Sequence, residues 1–250
     1  MLRKGKGIMK LLIISDIHGN RAAFQAVLEK AAQIQDIAAC ISLGDIIDYG
    51  MHSNEAIEMA RHLPYQMICN IRGNHEDAVI REDYSRFSSE RGRGSARYTR
   101  SILTQESWDY IRNVMADCGK QEFNLAGKKC LAVHGSLADE YWTSLKPEEA
   151  LTEYSGYDYV FSGHSHQPFL VEKFYPCEDV LRRNKKKVTF INPGSVGQPR
   201  NLNSMAQFVI LDMESENVSF EKVKYDIIAE QAAYHSQVDD FYRERLEWGV

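Results

Sequence analysis

The stretch KLLIISDIHGN, residues 10–20, begins with a short apolar run that ends at Asp16. Short apolar runs bounded by polar residues are typical of buried strands. Asn20 is followed by RAAFQAVLEKAAQI, whose apolar residues recur at helical spacing, so Asn20 is predicted to cap a helix. The stretch therefore predicts a strand, a turn that carries Asp16 and His18, and a helix.

The alternation of strand and helix continues beyond this stretch. IAACISLG (37–44) and YQMICNI (65–71) are predicted strands, and SNEAIEMARHL (53–63) is a predicted helix with Ser53 or Asn54 as its cap. Strands that alternate with helices pair in parallel and carry the helices on their faces. The first part of the chain is therefore predicted to have an α/β architecture.

The rest of the chain is predicted to be richer in strands. Its predicted elements are, in order, a polar helical region at 76–120, a hairpin at 121–135, a helix start at 146–155, five strand-like runs within 157–225 and a closing amphipathic helix at 226–248. Glycines and arginines in RGRGSARYTR (91–100) indicate a mobile cationic segment. The charged insert at 176–187 is predicted to be a loop or a hairpin tip.

Length and charge limit the class of protein. The 250 residues carry a formal net charge of −5, which argues against nucleic acid as a bulk electrostatic partner. The longest apolar runs are too short to cross a membrane, and the basic start MLRKGKGIMK lacks the apolar stretch of a signal peptide. We therefore expect a single domain at 9–250, preceded by a disordered extension at 1–8, with Met9 as an alternative start.

The number and spacing of the cysteines indicate the redox environment of the protein. There are five, an odd number, and none forms a C-x-x-C pair. This usage is typical of a reducing environment, so we expect a cytoplasmic protein. Cys40, Cys69 and Cys130 lie in apolar, strand-like runs and are expected to be buried.

Side chains able to bind metal follow several predicted strands. They lie in four short clusters, DIH (16–18), GNHE (73–76), VHG (133–135) and GHSH (163–166), and GDIIDYG adds Asp45 and Asp48. In open α/β sheets, ligands gather at the carboxyl ends of strands. Alternate residues of an extended segment share a face, so Asp16 and His18 are expected to point to one side, as are His164 and His166.

Each cluster alone is a weak signal, because D-x-H and H-x-H arise by chance and GNHE also suits a plain turn before a helix. Together, in order after predicted strands, they favour a metal centre. A ligand set of imidazole, carboxylate and amide oxygen is typical of sites for Mn, Fe or Zn, and it differs from the thiolate ligands of a cysteine-type zinc site. Seven such ligands are too many for one tetrahedral ion and enough for two divalent ions.

The motifs SDIHGN, GDIIDYG, RGNHE, VHGS, GHSHQP and NPGSVGQPR resemble the motif series of the calcineurin-like metallophosphoesterases. The resemblance runs from residue 10 to about residue 212 and is closest to the bacterial branch of small phosphodiesterases and diadenosine tetraphosphate hydrolases. It implies a four-layer α/β/β/α sandwich of two mixed sheets flanked by helices. It also implies that residues 77–118 form a helical cap.

The resemblance implies a role for each motif residue. Asp16, His18 and His166 would hold the first metal, Asn74, His134 and His164 the second, and Asp45 would bridge them. His75 would act as general acid, oriented by Asp48. The implied reaction is hydrolysis of a phosphate ester bond by a hydroxide that bridges the metals.

The substrate class stays open at this point. The resemblance implies a small phosphodiester, a phosphomonoester or a dinucleoside polyphosphate. Arg97, Arg100 and Arg200 are candidates to bind it, although a solvated helix face or a loop cap would also explain them. Tyr49 stands where the related Ser/Thr protein phosphatases have an arginine, which disfavours that alternative.

A second alternative is a scaffold without activity, like the retromer subunit that keeps this fold and has lost catalytic residues. The presence of every expected ligand and of His75 disfavours the scaffold reading. The sequence is compatible with a homo-oligomer. No membrane partner is expected.

Overall fold

Strand β1, predicted from the opening stretch, is the central strand of the first of two five-stranded sheets. The computed structural model describes residues 10–250, so the predicted extension at 1–8 and the start at Met9 lie outside the described residues. The strand order is β10-β9-β1-β2-β3; β1, β2 and β3 are parallel, and β9 is antiparallel to both of its neighbours, β1 and β10. The bounds are β1 Lys10–Ile14, β2 Ile37–Ser42, β3 Gln66–Asn70, β9 Ala206–Asp212 and β10 Val218–Val223.

The second sheet is also mixed. Its order is β4-β5-β6-β8-β7, with β5, β6 and β8 parallel and an antiparallel strand at each edge. The predicted hairpin is confirmed as β4 and β5, which turn over Ala126 and Gly127. The bounds are β4 Lys120–Leu125, β5 Lys128–Val133, β6 Tyr159–Ser162, β7 Phe169–Pro176 and β8 Lys185–Asn192.

The two sheets pack face to face, and helices lie on their outer sides. Leu11 and Ile41 of the first sheet pack with Ala132 and Phe161 of the second, and all four are completely buried. Burying one such large side chain stabilises the fold by about 1.5–3 kcal/mol. The sandwich implied by the family resemblance is therefore confirmed. The helices are α1 Arg21–Ala31, α2 Ser53–Arg61, α3 Asn74–Arg81, α4 Glu90–Ile102, α5 Gln105–Asn113, α6 Ile227–Gln231 and α7 Asp240–Trp248.

Three predictions of local structure were wrong. The helix expected from Pro147 is replaced by two short 3-10 turns, at Pro147–Glu149 and Thr152–Tyr154. Lys173 Nζ donates to the carbonyls of Pro147, Glu148 and Ala150, which takes acceptors that an α-helix would need. These turns cover the outer face of the second sheet.

The closing helix is divided, and the cap of α2 is displaced. Asp239 accepts a hydrogen bond from the N–H of Phe241 and so starts α7 as a separate helix after α6. Helix α2 begins at Ser53 itself, behind His52. Ser53 Oγ accepts from the N–H of Asp48 instead of capping the helix.

The cationic segment at 91–100 lies within helix α4, as the helical region predicted at 76–120 required. Gly92 is buried within this helix, and a Cβ at this position would lie only 3.1 Å from the Phe87 ring. Helix α4 packs beside α3, and α5 packs beside α2. Among the described residues, no helix combines the length and apolar character that crossing a membrane requires.

His52, the residue directly before α2, lies against the buried carboxylate of Glu230. His52 Nδ1 is 2.9 Å from Glu230 Oε1, and the side chain is 16% exposed. This hydrogen bond raises the pKa of His52 above its ordinary value of 6.5, against the smaller opposing effects of burial and Arg21. The protonated histidine therefore ties the start of α2 to α6.

We expect this tie to make stability depend on pH. The pKa of His52 is higher in the folded protein than in the unfolded chain, so the stabilisation is complete below pH 6.5 and is lost as pH rises through the raised pKa. Urea unfolding between pH 5.5 and 8.5 measures the free energy of unfolding of the wild type and of His52→Gln. The two proteins should differ most at low pH, and a pH-independent difference would contradict the prediction. His62→Gln, at an exposed histidine beside Glu58, is the matched control.

Candidate active site

The predicted ligands follow strand ends in left-handed turns. Asp16 and His18 have φ of 55° and 49°, and His164 and His166 have φ of 62° and 57°. The expectation of extended segments was therefore wrong. Non-glycine residues with positive φ are uncommon and cluster at functional sites, where the surrounding structure holds them. In these turns the side chains point toward the interior, and two residues that are two positions apart can belong to different groups of ligands.

The first group of ligands joins the two sheets. Asp16 and His18 follow β1, and His166 follows β6. His166 Nε2 lies 3.2 Å from Asp16 Oδ1 and 3.2 Å from His18 Nε2. All three side chains are buried. Asp16 Oδ1 has no hydrogen-bond partner among the described residues, which leaves a buried carboxylate oxygen free to bind a cation.

The second group adjoins the first through Asp45, which follows β2. Asp45 Oδ2 is 3.1 Å from His134 Nε2 and 3.8 Å from His18 Nε2. Asn74, the first residue of α3, places its Oδ1 2.9 Å from His134 Nε2 and 2.9 Å from His164 Nδ1. Asp45 thus lies between the groups, while His164 and His166 belong to different ones.

Backbone carbonyls orient the imidazoles. Three histidines direct Nδ1 to a carbonyl oxygen: His18 to Ile47, His134 to Leu43 and His166 to Gln198. His164 instead directs Nε2 to the carbonyl of Trp142. When such a ring is neutral, the carbonyl that accepts its N–H leaves the other nitrogen with an inward-facing lone pair, as in metal-binding histidines.

The charge state of the histidines favours cation binding. Burial lowers the pKa of His18 well below its ordinary value, lowers the pKa of His166 and lowers the pKa of His164 to about 3. These rings are therefore neutral at pH 7. Burial also acts on His134, but the Asp45 carboxylate outweighs it and raises the pKa of His134 to about 9. A cation that binds His134 must therefore displace a proton.

The donor set fits divalent metal ions. Oxygen and nitrogen acceptors face one another at hydrogen-bond distance, and the donor hydrogens of the imidazoles are spent on carbonyls. Three subsets of His and Asp have ligand atoms within 4.8 Å of one another: Asp16, His18 and His166; His18, Asp45 and His75; Asp45, His134 and His164. Neighbouring acceptor atoms repel one another, and a cation bound between them replaces this repulsion by attraction. Nitrogen and oxygen ligands suit Mn, Fe or Zn.

His75 lies beside these ligands and is paired with Asp48, as expected. His75 Nδ1 is 2.6 Å from Asp48 Oδ2, and His75 Nε2 is 3.9 Å from Asp45 Oδ2. Burial lowers the pKa of His75, but Asp45 and the hydrogen bond to Asp48 outweigh it and raise the pKa above its ordinary value. The Nε2 atom, which faces the ligands, can therefore carry a proton.

Helix α4 holds Asp48, which the sequence did not indicate. Ser95 Oγ donates to Asp48 Oδ1 at 2.5 Å and Thr99 Oγ1 at 3.1 Å. The N–H of Tyr49 donates to the same oxygen. The two hydroxyls lie four residues apart on one helix face, and that spacing is the signal that could have identified them.

Glu76, the last residue of GNHE, positions Asp45. Its carboxylate is completely buried and accepts the N–H groups of Gly73, Asp45, Ile46 and Ile47. These bonds fasten the loop after β2 to the start of α3. Gly73 must be glycine here because a Cβ would lie 2.0 Å from Asp45 Oδ1. Neither residue type nor spacing in GNHE indicates this role of Glu76.

The three candidate arginines lie in different surroundings. Arg97 pairs with Glu90 at 2.8 Å, and Arg100 pairs with Glu82 and with the carbonyl of Val79. These contacts occupy both guanidinium groups, so the structure does not bring them to the ligands. Arg200 lies close to them, and its charge helps to lower the pKa of His166.

A sequence profile described as the calcineurin-like phosphoesterase superfamily domain matches residues 9–216. This chain belongs to the calcineurin-like phosphoesterase superfamily. The superfamily assignment covers every predicted ligand. It confirms the resemblance drawn from the motifs.

Two solved structures have a similar fold, and one further protein is similar in sequence. A metallophosphoesterase from Sphaerobacter thermophilus is 27% identical with a TM-score of 0.75, over 97% of this chain and all of that one. A hypothetical protein from Pyrococcus horikoshii has the same fold, with a TM-score of 0.77 at 20% identity over 97% and 99%. An uncharacterized protein from Methanocaldococcus jannaschii is 29% identical over 96% of this chain and 98% of its own.

Proposed function

We propose that this protein is a phosphoesterase that uses two divalent metal ions to hydrolyse a small phosphodiester, phosphomonoester or dinucleoside polyphosphate. One observation carries the proposal: two groups of buried, inward-facing N and O ligands share Asp45. A site built for a single ion has no use for a carboxylate between two groups. The Sphaerobacter relative, itself described as a metallophosphoesterase, supports the same reading.

The residues divide between the ions as the family resemblance implies. Asp16, His18 and His166 would hold one ion, Asn74, His134 and His164 would hold the other, and Asp45, which lies between the two groups, would serve both. When bound, the cations supply polarisation of a phosphoryl oxygen and a water of lowered pKa. The identity of the metals among Mn, Fe and Zn is part of the proposal.

His75 supplies the proton for the leaving group. Asp48 accepts from Nδ1 and fixes the ring, and Nε2 faces the ligands. A proton held at Nε2 can pass to the ester oxygen as it leaves. Phe87 packs edge-on against the ring at 5.0 Å and limits water on that side.

The alternatives are less well supported. A silent scaffold has no need for the hydrogen bonds that Ser95, Thr99 and Tyr49 make to the carboxylate behind His75. A protein phosphatase of this superfamily would carry an arginine at position 49. We also propose a cytoplasmic location, because all five cysteines are unpaired.

Metal removal and restoration tests the function. Protein stripped with EDTA should hydrolyse neither p-nitrophenyl phosphate nor bis-p-nitrophenyl phosphate, and Mn²⁺ should restore activity on one or both. Metal analysis should find two ions per chain in the wild type, fewer in His134→Ala and two in the surface variant His62→Ala. Absence of metal-dependent hydrolysis of both esters with Mn²⁺, Fe²⁺ and Zn²⁺ would refute the proposal.

A further inference from the structure

A cavity of about 270 Å³ opens beside the candidate active site. Arg91 of α4, Arg200 and Arg245 of α7 line it, together with the rings of Tyr49 and Tyr242. None of the residues that line it is Asp or Glu. Its volume is slightly below the roughly 300–1,000 Å³ of sites for drug-sized ligands, so it has room for a small polar group.

The three guanidinium groups lack acidic partners. No Asp or Glu carboxylate of the described residues lies within 4 Å of Arg91, Arg200 or Arg245, whereas Arg93 and Arg97 on the same α4 both pair with Glu90. Elsewhere in the described residues, Arg81, Arg86 and Arg243 also pair with a carboxylate.

Arg245 is the most informative of the three. It is only 8% exposed, and its Nε donates to the main-chain oxygen of Val250 at 2.5 Å. Its two terminal nitrogens have no hydrogen-bond partner among the described residues. Burial, and then the neighbouring charge of Arg200, lower its pKa to about 10. Terminal nitrogens that line a cavity and have no protein partner are available to donate to an anion there.

Arg200 and Arg91 add donors from other directions. Arg200 Nε is buried and has no hydrogen-bond partner among the described residues. The guanidinium of Arg91 lies 3.8 Å from the centre of the Phe241 ring, which fixes its plane while leaving its edge free. Planar guanidinium groups bind phosphate oxygens in pairs.

The start of α4 adds to the positive potential. Ser88, Ser89 and Gly92 also line the cavity, and Ser89 is the N-cap of this helix. The N-terminus of a helix presents free N–H groups and the positive end of its dipole, which favours an anion. The acidic residue of the first turn, Glu90, is held by Arg93 and Arg97.

Tyr49 forms the wall between this cavity and the candidate active site. Its ring stacks on Tyr242 at 4.2 Å on the cavity side. The same ring contacts His75 at 4.5 Å and His18 at 4.7 Å. A group in the cavity is therefore one aromatic ring away from the proposed general acid.

We propose that the cavity lined by Arg91, Arg200 and Arg245 binds a second phosphate group of the substrate, so that the preferred substrates carry two phosphates. The inference rests on the proposed phosphoesterase function for the first phosphate. It selects bisphosphates, nucleoside diphosphates and dinucleoside polyphosphates over simple monoesters. It also assigns a binding role to α7, far along the chain from every motif.

Binding of inorganic pyrophosphate to metal-free protein in EDTA tests the cavity without catalysis. Calorimetry should show binding to the wild type, weakened by about tenfold or more in Arg91→Ala and in Arg245→Met, because each loses charge-assisted hydrogen bonds. Arg243→Ala removes the same charge from the other face of α7, where Arg243 pairs with Asp240, and should bind like the wild type. Equal binding by all four proteins, or none by the wild type, would overturn the inference.

Kinetics then separates the two proposals. With Mn²⁺ present, the Arg91→Ala variant should raise KM for ADP by about tenfold or more and leave KM for p-nitrophenyl phosphate nearly unchanged. Arg91 is exposed, so this variant stays informative if Arg245→Met unfolds. Inactivity of the wild type on every ester would refute the phosphoesterase function, while equal KM changes for both substrates would refute only the second-phosphate site.

Discussion

The variant His75→Ala is expected to retain both metal ions and to lose about 10²–10⁴-fold in turnover, the usual contribution of a general acid. The structure gives the reason: the ring is fixed by Asp48 at 2.6 Å, and Nε2 faces the ligands. The leaving oxygen of an alkyl phosphate needs a proton, and no other described side chain that faces the ligands is arranged to give one. Turnover and metal content are measured on the same preparation.

The leaving group sharpens this test. p-Nitrophenolate departs readily without protonation, whereas an alkoxide does not, so the loss should be much larger for an alkyl phosphate than for p-nitrophenyl phosphate. Added imidazole should restore part of the activity. The control is His62→Ala, which removes an exposed imidazole. An equal loss for both esters, or a fall in metal content, would assign His75 a structural or ligand role instead.

The variant Asp45→Asn is expected to lose tight metal binding and about 10³-fold or more of the activity, because one side chain serves both ions. Its Oδ2 faces His134 and His18, and its Oδ1 accepts the N–H of His75. An amide oxygen is a weaker, uncharged ligand. Metal analysis, together with Mn²⁺ titration of activity, measures the effect.

Stability distinguishes this effect from misfolding. Metal that binds only the folded state raises the unfolding temperature by mass action. The wild type should therefore gain thermal stability with Mn²⁺, and Asp45→Asn should lose that gain. Each protein is compared with itself in EDTA, because the loss of the buried contact between Asp45 and His134 lowers the metal-free stability of the variant as well. Asp36→Asn is the matched control, at an exposed left-handed turn before the same strand. Wild-type metal content in Asp45→Asn would exclude the shared-ligand role.

Much of the fold could be predicted because local patterns and tertiary structure agree in it. The apolar runs of β1, β2 and β3 are short, and helices separate them, which leaves parallel pairing as the simple solution. The second sheet was only implied by the resemblance. The helix expected at Pro147 could not be excluded in advance, because Lys173, which takes its carbonyls, comes from a distant strand.

In the candidate site, too, local sequence patterns predict some features, and contacts between distant residues decide others. Ligands that sit in compact motifs, such as Asp16 and His18, could be identified from residue type and order. Their left-handed backbone could not, because Asp and His adopt positive φ only when tertiary contacts hold them. Arg245 could not be found either, because it carries no motif and reaches the cavity only through the packing of α7.

The ligands come from both sheets. Asp16, His18, Asp45 and Asn74 follow strands of the first sheet, and His134, His164 and His166 follow strands of the second. A fragment with only one sheet therefore contains an incomplete coordination sphere. In the proposed enzyme, bound cations would link two halves of the chain that otherwise adhere mainly through apolar contacts, so local opening of either sheet, of the kind that amide hydrogen exchange detects, would separate the ligands. The proposed activity would then be confined to molecules in which the entire sandwich is closed.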